Sequence, residues 1–399
     1  MAKVLIVCSL FPPDIAGGAE ISTELLARGL SDWGHEVCVL SCSDRPSFCR
    51  NDGKLKVYEL PHAAGFNPFR NNRNKGWRKV KFWLHDSLLS TAQRRYSSIL
   101  KSIAPDILIT NNILGIGPGI WVEAHIARIP VIHVLRDYSL LCKVPSMQCG
   151  NTHCASQCYS CKAWTLAFRI FNSAVSHIVG ISDHILQKHL NAGYFRSVSS
   201  TNVIGNIVIR SSAISRAHYA RKGIGYLGRI SREKGVSELI RGVGLARNLG
   251  FCCILKIAGP SQDPNYSAEL RELAENSGSV EFYGEVNSAR FLEEIDFLVV
   301  PSLWEEPFGR VVIEAFAAGV PVLASNRGGL PELIAEGKNG YLFDPSDLNR
   351  FARLLTNLER FTEEQYIQLS NNASASAQEY SSEFIVNKFN EIIKTCVTK

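Results

Sequence analysis

Short apolar runs alternate with longer stretches of helical spacing along nearly the whole chain. Lys3–Cys8 is a continuous apolar run, Gly17-Gly18 follows, and Glu20–Leu30 has helical character. Glu36–Ser41 reads as a second strand, and Pro105–Thr110, Pro130–Val134 and His177–Ile181 as later ones. Runs that stay apolar without alternation predict a parallel sheet covered by helices on both faces. The pattern restarts at Gly223–Leu227 and continues through Cys252–Ala258, Val280–Tyr283, Phe297–Pro301, Val320–Ser325 and Tyr341–Phe343. The expectation is therefore α/β, with two doubly wound domains over residues 1–207 and 208–378. A last helix within 379–399, roughly Glu379–Thr395, is expected to pack back on the first domain. The divide falls near Gly205–Arg221, which is polar and basic and shows no clear apolar period. In open α/β sheets ligands bind beyond the carboxyl ends of the strands. Two such domains facing each other would enclose a cleft.

A chain of 399 residues exceeds one ordinary core. Its 46% hydrophobic and 20% charged residues exclude a disordered chain. No long uncharged apolar run is present, so no transmembrane span is expected. The N-terminal apolar run is short, β-branched and soon followed by Pro12-Pro13, which reads as a buried first strand rather than a secretion signal. A cytoplasmic protein is the expectation. The net charge of +6 is too mild to argue for nucleic acid, and no recognition motif accompanies it. Between His62 and Lys101, however, nine Lys or Arg stand against one acid, with Phe66, Phe69, Trp77, Phe82 and Trp83 among them. That stretch fits a surface resting on anionic lipid, on the inner face of the cell membrane. A solvated basic helix face with its aromatics in the core is the competing reading.

The densest chemistry follows the Phe297–Pro301 run. Glu306 ends a loop, Gly309 lets backbone approach a ligand, and a helix begins near Arg310. Free N–H groups around Phe308, Gly309, Arg310 and Val311 would bind phosphate or sugar hydroxyls. Glu314, about one turn into the helix, can take a bidentate bond from a ribose diol. Glu306 can accept from hydroxyls of a transferred sugar. Ahead of it, Gly228-Arg229-Ile230-Ser231-Arg232-Glu233-Lys234-Gly235 follows a strand. There Arg229 acts as a fork and Lys234 as a point charge, a clamp for a diphosphate. Gly17 and Gly18 open a helix after the first strand, which suits a close approach to phosphate. Gly115-Ile116-Gly117-Pro118-Gly119 lacks the dinucleotide spacing, and Pro118 removes an N–H from any cradle.

The segment from Glu306 to Glu314 resembles the E-x7-E motif of family 4 glycosyltransferases. Gly319-Val320-Pro321-Val322, Gly328-Gly329-Leu330-Pro331-Glu332 and Gly337–Phe343 are similar to that family as well, and the resemblance runs from Lys3 to about Phe389. It implies the GT-B fold, two Rossmann-like domains facing across a cleft. The first would bind the acceptor and the second the nucleotide sugar. It implies Arg229 and Lys234 on the donor diphosphate, and a Gly17-Gly18 loop that closes over it. Many members carry His-Asp where this chain has Arg136-Asp137; the departure leaves Asp137 to orient the acceptor or the transferred sugar. His133 lies within a strand and reads as a core residue.

Twelve cysteines are present. Cys8, Cys38 and Cys252 fall in apolar strand-like runs, where cysteine behaves as a small buried hydrophobe. Cys142, Cys149, Cys154, Cys158 and Cys161 crowd together with His153 between them. A structural zinc site, an iron–sulfur cluster, reduced thiols and a disulfide are the readings open there.

The function expected is retaining transfer of a sugar from a nucleotide-diphosphate donor to a glycan or lipid-linked acceptor, in bacterial surface polysaccharide synthesis. No cofactor is required, and no D-x-D segment is present, as in a metal-independent transferase. The alternatives are a nucleotide-sugar-binding scaffold without catalysis, and an epimerase or sugar-phosphate synthase of the same fold.

Overall fold

A computed structural model describes residues 1–15, 17–62, 89–149, 152–209, 219 and 223–398. The side chains of residues 89–95, 149, 152 and 153 lie outside that description, as does the part of the basic aromatic stretch over residues 63–88. The chain divides into two compact units, Met1–Ile207 with Ser382–Lys399, and Val208–Ser381.

The first unit contains β1 (Lys3–Val7), β2 (Glu36–Ser43), β3 (Phe48–Asp52), β4 (Leu55–Pro61), β5 (Ile107–Thr110), β6 (Val131–Leu135), a two-residue ribbon β7 (Gln148–Cys149) and β8 (Thr152–His153), β9 (His177–Gly180) and β10 (Ser200–Val203). The main sheet runs β10-β9-β6-β5-β1-β2-β4-β3. Every pairing in it is parallel except β3 with β4. Its connecting helices are α1 (Gly18–Asp32), α2 (Leu89–Ile103), α3 (Gly119–Ile126), α4 (Tyr159–Trp164), α5 (Leu166–Phe171) and α6 (Asp183–Asn191). Val4, Leu5, Ile6 and Val7 are wholly buried, as are Ile107, Leu108 and Ile109. That double-sided burial is why these strands read as unbroken apolar runs.

The second unit contains β11 (Ile224–Leu227), β12 (Leu255–Ala258), β13 (Val280–Gly284), β14 (Phe297–Val300), β15 (Val322–Ser325) and β16 (Gly340–Phe343), in the order β13-β12-β11-β14-β15-β16 and all parallel. Around it stand α7 (Val236–Asn248), α8 (Pro264–Ser277), α9 (Ser288–Glu293), α10 (Arg310–Ala317), α11 (Leu348–Leu358) and α12 (Glu363–Ser376). Phe351 of α11 stacks on Phe343 at 4.2 Å and presses on the bare backbone of Gly242 in α7. Tyr366 of α12 stacks on Tyr219 at 4.5 Å and donates to Asp296 O at 3.2 Å.

The final helix, α13 (Ser382–Val397), belongs to the first unit, where Val386 meets Gly29 of α1 and Asn390 meets the His35 imidazole at 3.2 Å. It begins after a 3-10 turn at Ala377–Tyr380, because Ser381 adopts an extended backbone and breaks the helical run expected from Glu379. Among the described residues no helix is long and apolar enough to cross a membrane.

Three departures from the sequence expectation have local causes. The β3–β4 hairpin is absent from the apolar-run reading because its strands mix polar and apolar positions; its signal is Asp52-Gly53, with Gly53 at φ 61 in the turn. The run at Cys252 becomes a strand only at Leu255, since Cys252 N and Cys253 N donate instead to Glu359 Oε1 at 2.5 and 3.0 Å. Cys252 is consequently exposed, unlike the buried Cys8 and Cys38, and the reading of it as a core residue is corrected.

Phe351→Ala is expected to destabilise the second unit by about 3–5 kcal/mol, the range for emptying a buried phenylalanine site. Hydrogen exchange of peptides from α7 and α11 should then speed up by roughly a hundredfold or more. Unchanged exchange there would contradict the packing described.

Candidate active site

Both sheets reverse their strand order once: between β1 and β5 in the first unit, and between β11 and β14 in the second. At such a reversal the loops leaving neighbouring strands diverge and leave a crevice at the carboxyl edge. In the second unit those loops carry Gly228–Gly235 and residues 301–309. They are joined by Leu303 N donating to Glu233 O at 2.9 Å. Gly235 sits at φ 71, and a Cβ there would lie 2.0 Å from Pro301 O, so only glycine allows the approach.

This approach brings Lys234 to Glu306. Lys234 Nζ donates to Glu306 Oε1, and Ser302 Oγ donates to the same oxygen at 2.9 Å. The ammonium also lies 5.2 Å from the centroid of the Trp304 ring. Glu306 is only 7% exposed. Its backbone is fixed from the other side by the loop after β15: Gly329 N donates to Glu306 O at 2.7 Å. A Cβ on Gly328, at φ 61, would fall 2.3 Å from that same oxygen. The sequence marked Glu306 and Lys234 separately. Ser302 and Trp304, which complete their surroundings, it did not mark; the only available signal was their position between a strand end and Glu306.

Gly309, at φ 100, caps α10 without a side-chain hydrogen bond to its first turn. The expectation gave this glycine to ligand approach; in the structure a Cβ would lie 2.5 Å from Leu330 Cδ2, so packing demands it as well. Phe308 is buried edge-on against Tyr380 at 5.7 Å, and Val311 is half-buried. Arg310 Nε donates to Glu314 Oε1 at 2.8 Å, one turn on. Burial raises the Glu314 carboxyl above its ordinary range, and the Arg310 charge and hydrogen bond partly offset this. Arg229 is half-exposed and reaches Glu233 at 3.8 Å, so it stands on the same loop without joining the Lys234–Glu306 pair. Tyr226 donates to Arg229 O at 2.7 Å, and burial holds its phenol well above the usual value, which keeps it a donor.

In the first unit Gly17 and Gly18 open α1. Gly17 N, expected to face a phosphate, donates to Glu20 Oε2 at 2.8 Å in a capping arrangement. An anion at this helix start therefore meets a carboxylate already in place. Asp137 follows β6; its Oδ1 accepts from Ser139 N and its Oδ2 from Asn112 Nδ2, each at 2.8 Å. Burial raises its carboxyl, and the Ser139 hydrogen bonds pull the other way. Asn112 was not marked by the sequence. Arg136 donates through Nε to Asn111 Oδ1 at 2.7 Å and through Nη1 to Asn206 Oδ1, tying the end of β5 to the segment after β10. His133 is buried within β6, 2.8 Å from Thr110 Oγ1 and edge-on to Trp121 at 5.0 Å. Burial drives its pKa down to about 3, so it is a neutral core residue.

Cys142 Sγ and Cys161 Sγ lie 3.3 Å apart. Among the described residues no group of three or more His, Cys, Asp or Glu is placed to hold a metal ion. The side chains of Cys149 and His153 fall outside that description.

The model of glycosyl transferases group 1 matches residues 212–376, and that of Glycosyltransferase Family 4 matches residues 16–197. A Klebsiella pneumoniae relative, described as an uncharacterized 42.6 kDa protein in a cps region, is 30% identical over 381 residues, covering 92% of this chain and 99% of that protein. The fold is similar to sucrose-phosphate synthase from Thermosynechococcus elongatus, with TM-score 0.75, 18% identity and 98% of each chain covered. It is also similar to an Anabaena protein solved in complex with UDP-glucose, with TM-score 0.67, 19% identity, and 99% of this chain and 100% of that one covered. The two matched models, the near full-length relative and the pair of doubly wound sheets place this chain in the family 4 glycosyltransferases of GT-B fold.

Proposed function

We propose that this glycosyltransferase moves a sugar with retention from a nucleotide-diphosphate donor to a glycan or lipid-linked acceptor. The observation that carries this reading is the Lys234–Glu306 pair at the strand reversal of the second sheet, beside the uncapped start of α10. Lys234, Arg229 and the N–H groups from Gly309 to Val311 would take the diphosphate. Nearby, Ser231 Oγ is buried without a hydrogen-bond partner, a further donor for a phosphate oxygen. Glu314 would accept from the ribose diol, exchanging its bond to Arg310 for the ligand. Glu306 would accept from hydroxyls of the transferred sugar.

Glu306 is held by an ammonium and a hydroxyl, not by a second carboxylate of the kind a two-step glycosidase uses. That supports front-face substitution: the donor diphosphate leaves, stabilised by Lys234, and takes the acceptor proton. Asp137 of the first unit would orient the acceptor or the transferred sugar, with Asn112 and the Ser139 N–H fixing its two oxygens. The nucleotide sugar is assigned to residues 208–378 and the acceptor to residues 1–207. A UDP-sugar donor draws support from the Anabaena protein, and a role in surface polysaccharide assembly from the Klebsiella relative in its cps region. Peripheral contact with an anionic membrane at the cytoplasmic face, through the basic aromatic stretch from Phe66 to Lys101, is part of the same proposal.

A thermal-shift and calorimetric screen against UDP-, GDP-, ADP- and TDP-sugars tests the donor assignment. One nucleotide sugar should stabilise the wild type in a concentration-dependent way, and Glu314→Ala should lose that effect. If no nucleotide sugar, free nucleotide or sugar phosphate binds, the donor assignment fails.

Lys234→Ala should lower kcat by about a hundredfold to a thousandfold, the usual loss for one group that stabilises a developing anion. A change confined to KM would place Lys234 in ground-state binding only.

Donor affinity should also fall as the pH drops from neutrality towards the raised Glu314 titration, because only the carboxylate accepts from both ribose hydroxyls. Calorimetric titration across that range should show the fall in the wild type and not in Glu314→Gln. Identical profiles for the two would remove Glu314 from the ribose.

A further inference from the structure

The sugar-transfer reading makes no use of the cysteines that follow β6. Cys142 and Cys161 are buried, at 5% and 3% exposure, with their sulfurs 3.3 Å apart. Closing that gap to the roughly 2.05 Å of a disulfide needs only a small movement of two side chains. Cys142 is held at the base of its loop by its N–H to Tyr138 O at 2.9 Å, and Cys161 lies within α4. Cys158, three residues before Cys161, is exposed to solvent, with its sulfur 3.3 Å from Ser160 Oγ. Hydrogen bonds from Ser160 and Cys161 draw the Cys158 thiol down to about 7, while burial pushes Cys142 up to about 12. The attacking thiolate at neutral pH is therefore the accessible one, and the pair it serves is sheltered.

We propose that Cys158, Cys161 and Cys142 form a thiol relay that accepts a low-molecular-weight disulfide, of the oxidised-glutathione type, and stores the oxidation as a Cys142–Cys161 disulfide. Cys158 thiolate attacks one sulfur of the small disulfide, forming a mixed disulfide and releasing one small thiol. Cys161 then attacks Cys158 Sγ and releases the second small thiol, leaving a Cys158–Cys161 bond. Cys142 attacks Cys161 Sγ, and Cys158 departs as the thiolate. Two protein thiols are oxidised, one small disulfide is reduced to two thiols, and the protons follow the released thiols. The product links the loop after β6, which carries Asp137, to α4.

The test uses the full chain equilibrated in glutathione buffers of graded ratio, then alkylated, digested and mapped by mass spectrometry. A Cys142–Cys161 linked peptide should accumulate with oxidised glutathione and vanish with excess reduced glutathione. Cys142→Ala and Cys161→Ala should each abolish it. Cys158→Ser should slow its formation at least tenfold while leaving the final yield unchanged. The oxidised wild type should melt roughly 5 °C higher, as expected for a cross-link closing a loop of this length. A disulfide mapped to other cysteines, or a Cys158→Ser variant that oxidises at the wild-type rate, overturns the proposal. So does stoichiometric zinc that survives gel filtration and keeps these thiols from alkylation.

Discussion

A carboxylate stripped of most of its water is costly unless a cation and a hydrogen-bond donor meet it, and Glu306 finds both in Lys234 and Ser302. Seventy-two positions separate Lys234 from Glu306 in sequence, so the pair rests on how two loops run. Parallel strands end at one edge of the sheet, and β11, β14 and β15 are consecutive neighbours there. The Glu306 loop is consequently gripped from both sides. The β11 loop closes on it through Gly235 against Pro301, and the β15 loop through Gly328 and Gly329 against the Glu306 carbonyl. Bare backbone at Gly235 and Gly328 sets the distance, and the side-chain pair follows from it.

The fold was legible because burial on both faces removes polar residues from a parallel strand, and that absence survives in the linear text. Where the argument fails, another partner has replaced the strand neighbour. Glu359 takes the N–H groups of Cys252 and Cys253, and the β3–β4 edge hairpin is under no pressure to be apolar throughout. The site was legible only in part. Motif spacing places Glu306, Gly309 and Glu314 around a helix start, since those residues are local to one another. It does not reveal that Arg310 pairs with Glu314, that Glu20 occupies the Gly17 N–H, or that Arg229 turns to Glu233. Those outcomes depend on which side chain reaches a charge first in three dimensions.

The two sheets share an architecture and differ in what stands at their reversal points. In the second unit the crevice holds charge: Lys234 against Glu306, Arg310 against Glu314, and Arg229 near Glu233. In each pair a phosphate can compete with the carboxylate for the cation. In the first unit the corresponding edge is a web of hydroxyl and amide groups. Ser9 Oγ donates to the carbonyls of Asn112 and Leu114, Asn112 donates to Asp137, and Arg136 donates to Asn111 and Asn206. Arg136 holds strand ends together there.

That contrast bears on which substrate each unit suits. A diphosphate carries dense charge and is best met by cations that can exchange partners. A sugar acceptor offers neutral hydroxyls, and in the proposed reading a carboxylate such as Asp137, with both oxygens already oriented, would select among them by direction rather than by charge. The proposed division of donor and acceptor between the units draws its support from the kind of polar group each sheet edge presents.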